Sequence, residues 1–520
     1  MKAKFYISKI ILAAAMFTLM STTAFAATSD FKELPSKSQV SILKPFTVKV
    51  NLDLDASTIN STNITVKDSK GLPVKVSVYP GNDSKSIVIY PQVGGYIPGA
   101  TYWIEMSTDV KSKTGAKLSM PVKMNFTTSS QFEDETSNTA LPSIKSIDVL
   151  NKPVIEKNKT SFAITPSISG NVQYKVFLFK YPNETYDNSN YYKSAVYTEL
   201  TSGYTSAISS SNLYIFTKTD GFELGKYKLL VYVKGSGRTG KYKDTNTDFD
   251  NFYSTYFKVL DKNILADAAT TTTTTTTSSS IIKTDYNKTL EEAVSAQVKA
   301  GGPVYSETTG FMKANDSLLR YYMDPSNYLD DYGKYSFLLL NYMDVSVDDL
   351  NTLLTGKGVL EGKGDVFLKA AKDNDINPIY LVSHALLETG NGTSVLAKGI
   401  LVSSVDGKAV EPKTTYNTFG VHAYDENPNK FGSEYAYTQG WFSVDAAISG
   451  GAKFIGTNYI NRAGEKQNTL YKMKWDINYG TYPHQYATDI GWPTKQIKRI
   501  KDLIEQCKTA KPVFEIPSFK

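Results

Sequence analysis

Asn377-Pro-Ile-Tyr-Leu-Val-Ser-His-Ala-Leu-Leu-Glu388-Thr-Gly390 decides how the rest of the chain is read. Asn377 is a good N-cap, Pro378 suits the first helical position where its missing N–H costs nothing, and Gly390 suits the left-handed residue past a helix end. The stretch therefore predicts a short helix with marked limits. Leu381, Val382, Ala385 and Leu386 recur at helical spacing and should face a core, which leaves Glu388 in the last turn beside apolar neighbours. The negative end of the helix dipole and partial desolvation both favour the protonated carboxyl there. A carboxylic acid that keeps its proton near neutral pH is a candidate general acid. The bland alternative is a solvated helix-end residue paired with His384 one turn earlier.

Around this helix the chain is helical in character. Leu290 to Val298 and Phe367 to Asp373 show helical patterning, and Ser346 is placed to cap a helix running to Leu354. Downstream, Ile400 to Lys413 reads as a loop or hairpin. Tyr416-Asn-Thr-Phe-Gly-Val-His-Ala-Tyr-Asp425 and Tyr435-Ala-Tyr-Thr-Gln-Gly-Trp441 then interleave rings with polar groups. That density suits a saccharide site, where rings stack on apolar sugar faces and amides and carboxylates bond hydroxyls; it equally suits a packed, tyrosine-rich loop. Ser443 to Tyr459 reads as a small-residue structural helix. His484-Gln-Tyr486-Ala-Thr-Asp489-Ile-Gly-Trp492 adds a hydroxyl, an amide and an indole within nine residues.

The N-terminal half differs. Alternation in Phe46 to Leu52 and Lys85 to Tyr90 predicts strands of a sandwich at 28–130, and Gln173 to Phe179, Tyr227 to Val233 and Tyr253 to Val259 predict a second strand-rich unit at 140–262. Its tyrosines (Tyr181, Tyr186, Tyr191, Tyr192, Tyr197) are a candidate sugar-stacking face, although tyrosine is common on strand surfaces. Thr270 to Thr277 and the serines after it cannot pack a core, so 263–281 is expected to be a linker, with a mostly helical domain over 282–510. Met1 to Ala26 combines Lys2, Lys4 and Lys9 with an apolar run and the Ala24-Phe-Ala26 cleavage pattern, which predicts a secretory signal. No later stretch reaches the roughly 18 unbroken apolar residues of a membrane span.

With one cysteine, Cys507, the chain has no internal disulfide, and three histidines (His384, His422, His484) offer little for zinc. No cofactor or metal is expected. From Ile281 onward 26 Lys/Arg stand against 28 Asp/Glu, so the surplus within the chain's 57 against 51 lies upstream, 31 against 23, in the signal and the β units. Acidic cell-wall polymers are candidate partners for such modules. Nucleic acid is not, because the lysines are dispersed and no Arg-rich motif appears. The excess serves solubility equally well.

Two resemblances add to this reading. Gly94-Gly-Tyr-Ile-Pro-Gly-Ala-Thr-Tyr-Trp103, Gly115-Ala-Lys-Leu and Met124-Asn-Phe-Thr-Thr resemble the bacterial Ig-like modules of exported surface proteins. From about Gly358 to Leu503 the ordered runs SHALLETGNGTS, YNTFGVHAYD, GAKFIGTNYI, NTLYKMKW and HQYATDIGW resemble the endo-β-N-acetylglucosaminidases of glycoside hydrolase family 73, the bacterial autolysins. The first resemblance and the strand runs of the second unit give an expected order of two all-β Ig-like sandwiches, and the second resemblance implies a mostly α (α+β), lysozyme-like catalytic domain after them. It also implies a secreted, wall-associated enzyme that cleaves the N-acetylglucosaminyl-β-1,4-N-acetylmuramic acid bond of peptidoglycan. The Glu of the family's ALLET motif, a general acid, corresponds to Glu388, while Asp425 and Tyr486 match its other two catalytic positions. Asn417, Phe419, Gly420, Tyr424, Trp441, His484, Gln485 and Asp489 are the expected glycan-strand contacts.

Ile400 to Lys413 is an extra loop against shorter members, so Glu411 and Glu434 rival Asp425 as the second carboxylate. Three routes stay open at the anomeric carbon: a base-activated water, a carboxylate nucleophile, or the substrate's own 2-acetamido oxygen. The rival readings are a lytic transglycosylase or muramidase on the same fold, and a non-enzymatic adhesin carried by the β modules.

Overall fold

The computed structural model describes residues 31–129, 141–167, 170–181, 197–263, 280–301, 303–307, 310–424, 426–480 and 482–520. The expected export signal, most of the expected linker, Tyr186, Tyr191, Tyr192 and Asp425 lie outside the described residues. No helix among the described residues is long and apolar enough to cross a membrane.

The first unit pairs two sheets. One has the strand order Lys32–Glu33, Val122–Thr128, Thr101–Met106, Ile64–Asp68, Pro73–Val74, and Lys37–Val40 also pairs with Val122–Thr128. The other carries Phe46–Lys49, Ser86–Tyr90 and Ser77–Pro80. Alternation along the strands sends every second side chain inward. Phe46 and Phe126 consequently meet at 4.5 Å between ring centroids, with Tyr96 and Tyr102 closing the cluster.

The second unit is built on the long strands Asn171–Tyr181, Gly225–Gly235 and Asn251–Leu260, with a three-stranded sheet of Ile144–Val149, Thr160–Pro166 and Tyr214–Lys218 facing them. Its large sheet is covered on both faces. Leu229, Val231, Tyr253 and Phe257 pack toward the small sheet, whereas Phe177, Leu230, Tyr232 and Phe252 join the core of the first unit. Burial on two sides explains why these strands read as nearly continuous apolar runs rather than clean alternation. Tyr197, among the tyrosines with an expected sugar-stacking role, packs on Phe177 and Phe179.

The far end of Asn251–Leu260 leads into the helical half. Tyr256 and Leu260 belong to the core of that half, the Lys258 ammonium pairs with Asp330 at 2.5 Å, and Lys152 pairs with Asp324 at 2.5 Å. The three units thus share interfaces rather than hanging as separate beads. Ser280–Asp285, whose start falls inside the expected linker, runs parallel to Val513–Ser518, which lies beyond the expected boundary at 510.

The helix Pro378–Glu388 is the axis of the helical half. It packs against Gly364–Asp373, Val347–Leu354 and Ile497–Gln506. From Pro378 to Leu386 every residue is buried, not only the face that the periodicity marked. Helices come at it from several sides, so Tyr380, Ser383 and His384 are enclosed along with the leucines. Ile400–Val405 and Lys408–Thr415 form an antiparallel hairpin that rests on the helix Pro428–Thr438.

Candidate active site

The carboxyl at the end of the central helix is positioned by local chemistry at both ends. Asn377 Oδ1 accepts from the backbone N–H groups of Ile379 and Tyr380 at 3.0 and 3.2 Å. At the other end the Thr389 hydroxyl donates to the Ala385 carbonyl and accepts from Gly392 N–H, while Gly390, Asn391 and Gly392 all take positive φ. Gly392 (φ +75°) lies so close to the chain at Lys357 that a Cβ would stand 2.0 Å from that carbonyl oxygen. The turn is locked on the Lys357–Val359 backbone, and Glu388 is held in the last helical position.

Its side chain keeps 20% of its accessible surface. Enough protein surrounds the carboxyl that burial pushes its pKa up from 4.5 to about 7. His384, one turn earlier, is fully enclosed, and burial pushes its pKa down to about 4. The imidazole is therefore neutral when Glu388 titrates. Its Nε2 stands 3.8 Å from Glu388 Oε1, beyond hydrogen-bond reach, and because the imidazole is neutral the two do not form the ion pair of the bland alternative. Instead Nε2 shares a hydrogen bond with the Tyr486 hydroxyl at 2.8 Å, and Nδ1 approaches the Tyr380 hydroxyl at 3.4 Å. Burial holds both phenols un-ionised.

A loop covers the other side. Gly420 (φ +61°) approaches so near that a Cβ on it would lie 3.0 Å from Glu388 Oε2. Asn417 shapes this loop from within: its amide donates to the Val421 and Gly432 carbonyls and accepts from the N–H groups of Phe419 and Val421. Phe419 lies against the His384 ring, 5.8 Å between centroids. It also fits the bare backbone of Gly451, as the Trp441 indole fits that of Gly450. The small residues of the helix Val444–Ile455 are seats for these two rings. Asn417, Phe419 and Trp441, expected as sugar contacts, are interior groups that build the loop. Tyr424 stays open, 38% exposed, with its hydroxyl 2.8 Å from His422 Nδ1.

A second aromatic wall follows. The helix Val444–Ile455 continues as a π-helical turn, Gly456–Ile460, a geometry that recurs at functional sites. Tyr459 on this turn packs between His484 (4.8 Å) and Tyr486 (4.7 Å), and Tyr486 stacks on Trp492 at 4.9 Å. His484 Nδ1 pairs with Gln467 Oε1 at 2.7 Å. Gln485 bonds Gln297 and Lys474 rather than pointing outward, and Asp489 is held by Lys495 and by Gly491 N–H. Of the rival carboxylates, Glu434 is buried in an ion pair with Lys430, and Glu411 is exposed on the hairpin beside Lys413. Asp425 lies outside the described residues. Among those described, no group of three His, Cys, Asp or Glu is arranged to hold a metal ion. Tyr380 carried no functional signal in the sequence, and Tyr459 none beyond its place in the GAKFIGTNYI run.

The structure therefore brings Glu388, His384, Tyr486, Phe419 and Gly420 into one site: a carboxyl with a raised pKa and one partly open face, backed by a neutral imidazole and two phenols. Residues 364–505 match the glucosaminidase family model, described as mannosyl-glycoprotein endo-β-N-acetylglucosaminidase, and residues 33–128 match the bacterial Ig-like domain. A β-N-acetylglucosaminidase of Bacillus subtilis (strain 168) is 35% identical over 352 residues, 65% of this chain and 38% of that protein. A bifunctional autolysin of Staphylococcus aureus is 45% identical over 234 residues, 43% of this chain and 18% of that one. The chain thus spans well under half the length of these curated relatives. The crystal structure of S. aureus glucosaminidase B is 36% identical, covering 46% of this chain and 94% of that chain with a TM-score of 0.40. By these matches the chain belongs to the glucosaminidase family through residues 364–505 and carries a bacterial Ig-like domain at residues 33–128.

Proposed function

We propose that the chain is an exported, wall-associated peptidoglycan hydrolase, an endo-β-N-acetylglucosaminidase that uses Glu388 as its general acid. One observation carries this reading: a carboxyl on a rigid helix end, raised to about 7 by burial yet still partly open, beside a loop so near that a Cβ on Gly420 would lie 3.0 Å from it. Glycoside cleavage passes through an oxocarbenium-like state and needs a proton on the leaving oxygen. In this reading Glu388 gives its proton to the 4-oxygen of the N-acetylmuramic acid residue as the bond to the N-acetylglucosamine anomeric carbon lengthens. The Tyr486 hydroxyl, held by neutral His384, lines the same site and faces the reacting sugar. Asp425, adjoining exposed Tyr424, is proposed as the second carboxylate, since Glu434 and Glu411 are engaged with lysines. The catalytic unit is read as a lysozyme-like domain and the middle unit as a second Ig-like sandwich. The two β units, with the basic surplus upstream of residue 281, orient the enzyme on anionic wall polymers.

Analysis of the ends released from purified peptidoglycan tests the bond specificity. Borohydride-reduced digests examined by mass spectrometry are expected to carry reduced N-acetylglucosamine ends. Reduced N-acetylmuramic acid ends would assign a muramidase, and 1,6-anhydromuramic ends a lytic transglycosylase. No released fragments, with retention of the full chain on walls, would leave only the adhesin reading.

A further inference from the structure

The segment that carries Tyr486 has no helix or strand of its own, yet its phenol is aimed at His384 Nε2 with a 2.8 Å contact. The helix Leu470–Trp475 does the aiming. Tyr486 N–H donates to the Met473 carbonyl at 2.9 Å, which fixes one backbone point. Lys474, next in the chain and only 1% exposed, turns its ammonium inward. Its Nζ donates to Gln485 Oε1 at 3.0 Å, to the Ala487 carbonyl at 2.9 Å and to the Thr488 carbonyl at 3.1 Å. The three acceptors flank residue 486 on both sides. A second link closes the frame: Gln485 Nε2 donates to Gln297 Oε1, and Gln297 Nε2 donates to the Trp475 carbonyl.

An enclosed ammonium is expensive, and burial pulls its pKa down to about 7; the negative charge of Asp489 offsets only part of that, and three acceptors, one for each N–H, face the group. The acceptors are also informative. Two are backbone carbonyls of an irregular segment, which without Lys474 would be left enclosed and unpaired or would turn away. We propose that Lys474 is a positioning residue that sets the Tyr486 hydroxyl against His384, and through that contact fixes the wall facing Glu388. The inference rests on the reading of Glu388 as the general acid and of the Tyr486 hydroxyl as a group facing the reacting sugar.

The test compares Lys474→Met, Lys474→Arg, Tyr486→Phe and the Lys474→Met/Tyr486→Phe double variant of the full chain, using peptide-free glycan oligomers from peptidoglycan as substrate. Lys474→Met should lower kcat by about tenfold or more while KM moves less than about twofold, as loss of orientation without loss of binding requires. Lys474→Arg, which keeps charge and donors, should recover most of the rate. In the double variant Lys474→Met should add little to the loss caused by Tyr486→Phe. Because the chain has only three histidines, nitrogen-15 NMR of the imidazoles follows His384 directly. Its ring signals should shift in Lys474→Met as they do in Tyr486→Phe.

Full additivity of the two rate losses, or unmoved His384 signals in Lys474→Met, would overturn the role of Lys474. A Tyr486→Phe enzyme with unchanged kcat would instead remove Tyr486 from the reaction while the His384 signals still report whether Lys474 aims it. If Lys474→Met does not fold, Gln485→Leu removes one of the three acceptors, and the same His384 signals must move for the inference to stand.

Discussion

Glu388→Gln is expected to lower kcat on peptidoglycan by about 10³-fold and at the same time to make the protein more stable above neutral pH. The rate loss is that of a general acid, a contribution of roughly 10²- to 10⁴-fold, because the amide keeps the shape of the carboxyl but has no proton to give. The stability gain follows from the same burial. In the native protein the carboxyl titrates near 7, against 4.5 when exposed. Because the folded value is the higher one, its contribution to stability is fully present below pH 4.5 and is lost as the pH rises through 7. Once ionised, the buried carboxylate costs the fold about 3 kcal/mol, the free-energy equivalent of that displacement. The glutamine escapes this cost. Melting curves at pH 4 should therefore nearly coincide for the two proteins, whereas at pH 8 the variant should melt several degrees higher. Equal stability at both pH values would show that the carboxyl is not buried as described. The wild-type rate should fall as the pH rises through about 7, as the acid loses its proton.

Gly420→Val is expected to cost about 10²-fold in kcat, through displacement of the carboxyl rather than through loss of a chemical group. Two effects combine. Gly420 has φ +61°, a conformation that costs a β-branched residue roughly 1–3 kcal/mol. A Cβ would also sit 3.0 Å from Glu388 Oε2, so the loop or the carboxyl must give way, and misplacement of a catalytic group by about 1 Å is worth losses of this size. Gly464→Val separates the contributions, because Gly464 also has positive φ (+89°) but a Cβ there meets nothing within 4 Å. That variant should share the strain and keep the rate. If both glycine variants retain full activity, close approach of the loop to Glu388 is irrelevant to the reaction.

Much of this site was legible in the chain because its central element is governed by neighbours in sequence. Asn377, Pro378 and Gly390 mark the helix by local rules, and the raised Glu388 pKa follows from a helix end set among apolar residues. The hairpin after Ile400 and the cap at Ser346 were readable for the same reason. What the residues alone did not disclose is direction. Asn417, Phe419 and Trp441 have the composition of a sugar site, yet Phe419 is seated on Gly451, thirty-two residues further on, Trp441 on Gly450 of the same helix, and Asn417 is turned into its own loop. Asp489 and Gln485 likewise read as polar contacts until Lys495, Lys474 and Gln297 claim them. Nonlocal pairing was equally hidden. No local pattern links Ser280–Asp285 to Val513–Ser518, and the strand Asn251–Leu260 showed its continuous apolar character without showing that its two faces serve two different cores.

The most direct test is the titration of Glu388 itself, by carbon-13 NMR of protein labelled at its glutamate carboxyls, with Glu388→Gln identifying the resonance. The account predicts a single carboxyl that titrates near pH 7 in the free enzyme. Titration at 4.5 or below would mean that the group is already ionised at neutral pH, and the proton on which the reaction depends would not be there to give.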